Sequence, residues 1–250
     1  MFKKNSVYNS IEVVKQGNYL SLYFVNQGHR YLESRSDLSN PEVLPVLYNR
    51  LMSTGFLYTP KQDSLLMLGL GGGGVSNYLH RHMPNLNLDL VDIDSEVVSC
   101  AIKYFGVKED SKQKIYISDA KKFLAGSQKK YDVILGDTYR GGYIPTELMT
   151  EEYFRLLKSH LQDEGCFVSN LHYGTKSFTL IYSRLRKVFP LHEMYSLGAR
   201  HAVVLISCNN LSQKKYASWE RAQDLQKKYN FYYPLTELFR KRDKLPALKP

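Results

Sequence analysis

The spacing of apolar and polar positions predicts two regions of different architecture. Early in the chain, "SIEVVK" and "YLSLYFV" are rich in β-branched and aromatic residues, and turn residues at Gly17 and Gly28 separate them from their neighbours. This pattern predicts short antiparallel strands within residues 7–35. A helix is predicted next, at about 43–56. Residues 1–60 are therefore expected to form a small N-terminal β-strand unit with a connecting helix.

From Ser64 onward, buried strands alternate with amphipathic helices. The predicted strands include "LLMLGL", "LNLDLVDI", "KIYIS", "YDVILGD" and "CFVSNLH", and "LHEMYSL" with "HAVVLISC" predicts a closing hairpin. Such alternation is typical of an α/β fold with an open, mostly parallel, doubly wound sheet. We expect residues 61–250 to form a Rossmann-like nucleoside-binding domain with a C-terminal helical tail.

Capping residues predict where two of these helices begin and end. Ser95 is the expected N-cap of the helix that Gly106 ends. Thr150 is the expected N-cap of a later helix, and Gly165 is expected just after that helix ends.

Composition narrows the class of protein. The formal net charge is +10, but the basic clusters contain no interleaved aromatic motif, so a solvated lysine-rich surface is favoured over nucleic-acid binding. No apolar run is long enough to span a bilayer. Cys100, Cys166 and Cys208 fit no metal-ligand spacing, and we expect them to be buried, reduced thiols. These features predict a cytoplasmic protein with neither metal nor membrane contact.

A glycine cluster follows the first buried strand. The segment "GLGGGG" runs from Gly69 to Gly74 and precedes a predicted helix. Glycines there let a ligand approach the backbone, and the helix N-terminus offers free N–H groups. A merely flexible connection would have a similar composition. A dinucleotide, or an adenosine group that carries a sulfonium or carboxylate, would suit such a loop.

Three aspartates end the strands that follow. Asp92 ends the second strand, Asp119 comes after the third and precedes Ala120, and Asp137 ends the fourth. The carboxyl ends of parallel strands form the ligand-binding edge of an open α/β sheet. One such aspartate is commonly a turn or cap residue. Three in order after a glycine loop favour an adenosine site of the S-adenosylmethionine type over an NAD site.

Taken together, the motifs resemble those of the spermidine synthase family, the polyamine aminopropyltransferases, and most closely its bacterial spermidine synthase-like branch. The segments that carry the resemblance are "LLMLGLGGGG", "LVDIDSEVVSCAIKYFG", "YISDAKKFL", "YDVILGDTYRGGYIPTELMT" and "LRKVFPLHEMY", within residues 7–210. The resemblance implies transfer of an aminopropyl group from decarboxylated S-adenosylmethionine to an amine in polyamine biosynthesis, which leaves methylthioadenosine. It implies a co-substrate without a permanently bound cofactor, and a homodimer or homotetramer.

The same resemblance assigns roles to individual residues. It implies a catalytic Asp137 on a loop that closes over the acceptor amine, a ribose-binding Asp92 and an adenine-binding Asp119. The remaining residues implied in binding are, for the nucleoside, Gly69, Gly71, Gly72, Gly73 and Ala120, and, for the substrate, Tyr48, Tyr139 and Arg140.

Two departures from the family pattern bear on the substrate. Gly72 stands where the family has an aspartate that binds the ammonium of the aminopropyl group, and Arg140 stands where it has a second acid for the diamine. Asn9 also replaces a family glutamine. We expect nucleoside binding to be retained while the donor-tail and acceptor sites differ, which puts activity on putrescine in doubt. Restoring both acids is expected to raise diamine transfer.

Two other functions stay open at this point. A methyltransferase that uses S-adenosylmethionine would share the sheet and the adenosine site, although "GDTYRGGYIPTELMT" is closer to a gate loop than to a methyl-acceptor motif. A non-catalytic nucleoside-binding protein with a basic surface is the other. His172 follows the fifth strand and is interpreted mainly as a loop residue that could line the site, and His201 as structural.

Overall fold

The structure is a computed structural model that describes residues 1–197 and 202–246. The N-terminal unit is an antiparallel meander of four strands, β1 (Phe2–Asn5), β2 (Ser10–Gln16), β3 (Tyr19–Asn26) and β4 (His29–Asp37). The pairing of β3 with β4 contains an irregularity. Leu22 pairs with Ser34 and Tyr23 with Leu32, so Glu33 is the extra residue of a β-bulge.

The second sheet confirms the predicted Rossmann-like class. Its order is β12-β10-β11-β9-β8-β5-β6-β7, with β5 to β9 parallel and β10 to β12 antiparallel. Its strands are β5 (Ser64–Leu68), β6 (Asn87–Asp92), β7 (Gln113–Ile117), β8 (Tyr131–Gly136), β9 (Leu161–His172), β10 (Leu191–Ser196), β11 (Ala202–Cys208) and β12 (Arg242–Asp243). The order reverses direction between β5 and β8, which places the loops after these two strands side by side.

Helices cover both faces of this sheet. They are α1 (Leu47–Leu51), α2 (Gly74–His82), α3 (Ser95–Phe105), α4 (Ala120–Ala125), α5 (Glu151–Ser159), α6 (Lys176–Val188), α7 (Trp219–Tyr229) and α8 (Leu235–Phe239). Short 3₁₀ segments lie at Met52–Tyr58, Thr146–Leu148 and Leu211–Lys215. One core joins the sheet to α1, α2, α7 and α8, and a second core joins the other face to α4, α5 and α6.

The N-terminal sheet packs on α3. Ile11, Leu22 and Phe24 share an apolar cluster with Val97 and Cys100 of that helix. Helix α3 follows β6, so a sheet that packs on α3 lies near the carboxyl end of β6. Strand β4 therefore borders the edge of the larger sheet where the predicted site lies. The boundary predicted between residues 60 and 61 stays a prediction, and the segment just before it packs in the core of the larger sheet.

The predicted helix ends need two corrections. Asp94, not Ser95, caps α3, because its side chain accepts a hydrogen bond from the Glu96 N–H at 3.0 Å. Helix α5 ends at Ser159, so Gly165 lies inside β9 rather than after a helix. Pairing of that strand with β8 starts at once, at Leu161, and overrides the helix-like composition of the segment. The expected caps at Gly106 and Thr150 are confirmed.

The cysteine prediction was wrong for two of the three residues. Cys166 and Cys208 form a disulfide, while Cys100 is free and buried. The two bonded cysteines face each other on the antiparallel strands β9 and β11, with their Cα atoms 4.2 Å apart. Sequence spacing cannot show this proximity, because 42 residues separate them. None of the described helices is both long and apolar enough to cross a membrane.

Candidate active site

The loops after β5, β6, β7 and β8 open into one cleft, which β4 and α1 border from the N-terminal side. Its empty space, including the solvent-filled mouth, is about 940 Å³. The predicted site residues that line it are Tyr48, Gly69, Gly71, Asp92, Asp119, Ala120, Asp137, Tyr139 and Arg140. The structure therefore brings together nine side chains or backbone positions that the sequence had indicated separately.

Gly69 allows the two central loops to touch. Its φ is +89°, and a Cβ added there would lie 2.2 Å from the carbonyl oxygen of Asp137. The Asp137 N–H also donates to the Leu68 carbonyl at 2.9 Å. A side chain at position 69 would push these loops apart, so glycine here is what sets the distance between the glycine loop and Asp137.

Gly72 and Gly73 do not line the cleft. Gly73, at φ +70°, is the N-cap residue of α2. A Cβ on Gly72 would lie 2.8 Å from both Cβ and Oγ of Ser34, the residue after the bulge in β4. The side chain of Ser34 thus occupies the space into which a side chain at position 72 would project. Restoring an aspartate at Gly72 would require Ser34 to move.

Asp92 is fixed by backbone donors of its own sheet edge. One carboxylate oxygen accepts from the Leu70 N–H at 2.8 Å, and the other accepts from the Asp94 N–H at 2.9 Å. Burial raises the pKa of Asp92 above its usual value. Hydrogen bonds from the backbone N–H groups of Asp94, Leu70 and Gly71 lower it, but burial has the larger effect. These bonds fix the direction of the carboxylate before any ligand arrives, and Asp92 lines the cleft.

Asp119 combines a capping role with a position in the cleft. Its Oδ1 accepts from the Lys122 N–H at 3.0 Å and caps α4, whose first residue is Ala120. The capping interpretation of a lone aspartate therefore holds here, and the residue still lines the cleft beside Asp92.

Two side chains from distant elements hold Asp137. The Tyr48 hydroxyl donates to Oδ2 at 2.8 Å, and the Asn170 amide donates to Oδ1 at 2.9 Å. Burial raises the pKa of Asp137, while the bonds from Asn170 and Tyr48 and the nearby charge of His172 lower it. Sequence reasoning missed Asn170, because only the pairing of β8 with β9 brings it beside Asp137.

Tyr139 and His172 lie near the Asp137 carboxylate and pack against each other. The Tyr139 hydroxyl donates to the Asn170 carbonyl at 3.2 Å, and its ring lies 4.9 Å from that of His172. His172 acts on the pKa of Asp137 electrostatically, which places it near the site. His201 lies outside the described residues.

Arg140 lines the cleft from its rim. Its guanidinium carbon lies 5.3 Å from the centroid of the Tyr8 ring, a cation–π arrangement. The arginine is therefore turned toward the N-terminal unit, where Asn9 also lines the cleft.

Glu33 is a site residue that sequence reasoning missed. It lines the same cleft, and burial together with the charges of Asp137 and Asp92 raises its pKa to about 8. In the sequence it is one polar residue in a short strand. Its position depends on a β-bulge, and the local sequence pattern does not predict that bulge. Across residues 1–197 and 202–246, no group of three or more His, Cys, Asp or Glu side chains is arranged to hold a metal ion.

Comparison with known proteins decides the family. The spermine/spermidine synthase domain model matches residues 47–216. The chain belongs to the spermine/spermidine synthase family. A polyamine aminopropyltransferase of Vibrio vulnificus is 30% identical over 191 residues, which are 75% of this chain and 64% of that protein. One from Chromobacterium violaceum is 27% identical and covers 89% of this chain and 86% of its own length.

Solved structures agree on the fold of this family member. Spermidine synthase bound to the transition-state analogue AdoDATO has a TM-score of 0.74 at 19% identity and covers 96% of this chain and 84% of its own. Human methyltransferase-like protein 13 has a TM-score of 0.63 at 23% identity, and it covers 73% of this chain and 92% of its own. Coverage of 96% means that the first match includes the N-terminal sheet.

Proposed function

We propose that this chain is an aminopropyltransferase of polyamine biosynthesis that moves an aminopropyl group from decarboxylated S-adenosylmethionine to an amine. The observation that carries the proposal is the carboxylate of Asp137, fixed by Tyr48 and Asn170 beside the glycine loop. The family and the names of the relatives support it.

The reaction is a nucleophilic displacement. The lone pair of a neutral amine attacks the carbon next to the sulfonium, the carbon–sulfur bond breaks, and its electron pair neutralises the sulfur, which leaves methylthioadenosine. The new ammonium then has a proton to lose. An amine with a pKa near 10 is protonated in water, so a base beside it is needed for attack.

Asp137 suits the role of this base. Its two oxygens are held from opposite sides by one hydroxyl and one amide donor, which fixes its direction and leaves lone pairs for the acceptor amine. Burial raises its pKa, which makes the carboxylate a stronger base than an exposed aspartate. The side chain of Asp92 and the backbone of Gly71 would bind the nucleoside at the other end of the cleft.

Methyl transfer is the second candidate. A human eEF1A lysine and N-terminal methyltransferase is 32% identical over 143 residues, which are 51% of this chain and 20% of that protein. The match leaves half of this chain uncovered, and the spermidine synthase structures cover nearly all of it.

The experiment is product analysis by mass spectrometry. The protein is incubated with decarboxylated S-adenosylmethionine or with S-adenosylmethionine, each with a panel of amines that includes putrescine. Methylthioadenosine together with an amine heavier by one aminopropyl group is expected. S-adenosylhomocysteine would support methyl transfer instead, and retained nucleoside binding without any product would support a non-catalytic binding role.

Assembly and location are part of the same proposal. We place the protein in the cytoplasm and expect a homodimer or homotetramer that forms through the N-terminal sheet. Three large side chains of that sheet, Tyr19, Tyr31 and Leu32, are exposed in the single chain. Light scattering coupled to size-exclusion chromatography tests the assembly, and cell fractionation tests the location.

A further inference from the structure

Glu33 owes its position to the β-bulge in β4. The residue is skipped in the pairing with β3, while Ser34 beside it is paired and buried against Gly72. In a regular strand, neighbouring side chains point to opposite faces, so Glu33 and Ser34 would not both face the glycine loop. A bulge re-aims a side chain, and here the glutamate lines the cleft next to Ser34.

The surroundings of Glu33 are negative. Asp137 and Asp92 both act on its carboxyl group electrostatically, and the hydroxyls of Tyr48 and Tyr139 face the same group of acids. In the part of the chain that the structure describes, no hydrogen-bond donor or cationic side chain contacts the Glu33 carboxylate. Burial and these charges raise the pKa of Glu33 to about 8.

The other charged groups of the cleft do not serve as its counterion. Arg140 is directed to the ring of Tyr8. Asp119 and Glu147 add further negative charge to the lining. His172 acts electrostatically on Asp137.

We propose that Glu33 binds the primary ammonium of the aminopropyl donor, and this inference rests on the proposed function. The glutamate lines the same cleft as Asp92 and Asp137, and both aspartates act on its carboxyl group electrostatically. A donor whose nucleoside binds at Asp92 and whose reacting carbon lies at Asp137 would carry its ammonium into this part of the cleft. The loop cannot supply an acid at position 72 because Ser34 fills that space. The acid comes instead from the neighbouring strand.

This placement also selects the donor. S-adenosylmethionine carries a carboxylate on the same tail, which would lie among Glu33, Asp137 and Asp92. The decarboxylated donor has the ammonium without that negative group. Glu33 is therefore a specificity-determining residue that favours the decarboxylated donor.

The first test measures binding of three ligands to the full chain by titration calorimetry: methylthioadenosine, decarboxylated S-adenosylmethionine and S-adenosylmethionine. In Glu33→Gln, we expect about a 10- to 100-fold loss of affinity for the decarboxylated donor and less than about a twofold change for methylthioadenosine, because a charge-assisted hydrogen bond is removed. Asp37→Asn, half-buried at the last residue of the same strand and outside the cleft lining, is the matched control and is expected to bind all three ligands like the unchanged chain.

A second readout separates a charge role from a structural one. At pH 7 an empty site holds Glu33 largely protonated, so an arriving ammonium displaces about one proton. Binding enthalpies in two buffers of different ionisation heat measure that proton. Release is expected with the decarboxylated donor, little with methylthioadenosine, and little with either ligand in Glu33→Gln.

The outcomes are distinct. If the unchanged chain binds neither methylthioadenosine nor the donor, the proposed function fails. If it binds both, and Glu33→Gln binds the donor equally well or loses both ligands equally, only the role of Glu33 is overturned. A rise confined to the KM for the acceptor amine would also overturn it, by placing the glutamate at the acceptor.

Discussion

The two ends of the cleft are organised differently. At the proposed nucleoside end, Asp92 is held by the backbone N–H groups of Leu70 and Asp94, within a few residues of the sheet edge. At the proposed transfer end, Asp137 is held by the side chains of Tyr48 and Asn170, from α1 and β9. The contacts that hold Asp92 form wherever this strand–loop–strand unit forms. The contacts that hold Asp137 depend on elements that are far apart in the chain, so we expect substitutions to change this end of the cleft more readily.

The strongest test of this contrast is removal of the charge at the transfer end. In Asp137→Asn we expect aminopropyl transfer to fall by about 10²- to 10⁴-fold, since general-base catalysis contributes that much. Binding of methylthioadenosine should change little, because Asp92 holds the other end. Steady-state rates and calorimetry measure the two quantities. Asp163→Asn, at an exposed position of β9 away from the cleft, serves as the control, and an equal loss of nucleoside binding in Asp137→Asn would contradict the division.

The second test disturbs the contact between the glycine loop and the loop that carries Asp137. A Cβ at Gly69 would meet the carbonyl of Asp137 at 2.2 Å, and φ there is +89°. We expect Gly69→Ala to lower the free energy of unfolding by at least about 3 kcal/mol, from steric overlap added to the cost of a left-handed backbone.

The matched control for Gly69→Ala is Gly28→Ala. Gly28 has a similar φ of +80°, but nothing lies within 4 Å of an added Cβ. It should lose only the backbone term of about 1–2 kcal/mol. Chemical denaturation measures both variants, and equal losses would show that the contact with Asp137 is unimportant.

A smaller change is expected at Tyr48. Its hydroxyl bond lowers the pKa of Asp137, so Tyr48→Phe should raise that pKa and move the acidic limb of the pH–rate profile to higher pH. We expect about a tenfold loss of kcat/KM near neutral pH from one lost hydrogen bond. Tyr233 is the control, because its hydroxyl accepts a hydrogen bond from the Leu44 N–H and does not contact Asp137. The pH–rate profile of Tyr233→Phe should keep its acidic limb in place. An unshifted limb in Tyr48→Phe would exclude this effect.

The last prediction concerns how the stability of the folded chain depends on pH. The pKa of Glu33 is raised from 4.5 to about 8 in the folded chain, so the unfolded chain loses the proton first. Stability therefore falls as pH rises from about 4.5 to 8, and Glu33→Gln removes that loss. The variant should match the unchanged chain below pH 4.5 and melt at a higher temperature above pH 8. Thermal unfolding across this range checks it, and a constant difference at every pH would contradict the titration.

The class of fold and the position of the proposed nucleoside end follow from local features of the sequence. Strands and helices alternate, and glycine and aspartate residues stand at strand ends, so parallel pairing alone brings Gly69, Asp92, Asp119 and Asp137 to one edge. These features are local, because each depends on a strand and the few residues after it.

The other contacts of the cleft and the disulfide depend on tertiary structure. Asn170 reaches Asp137 through the pairing of β8 with β9, and the Cys166–Cys208 disulfide follows from the pairing of β9 with β11. Glu33 enters the cleft because a one-residue bulge in β4 changes its direction and because the N-terminal sheet packs on α3. Strand register and packing between distant elements depend on the sum of many weak contacts. A residue's own neighbours in the sequence do not contain that information.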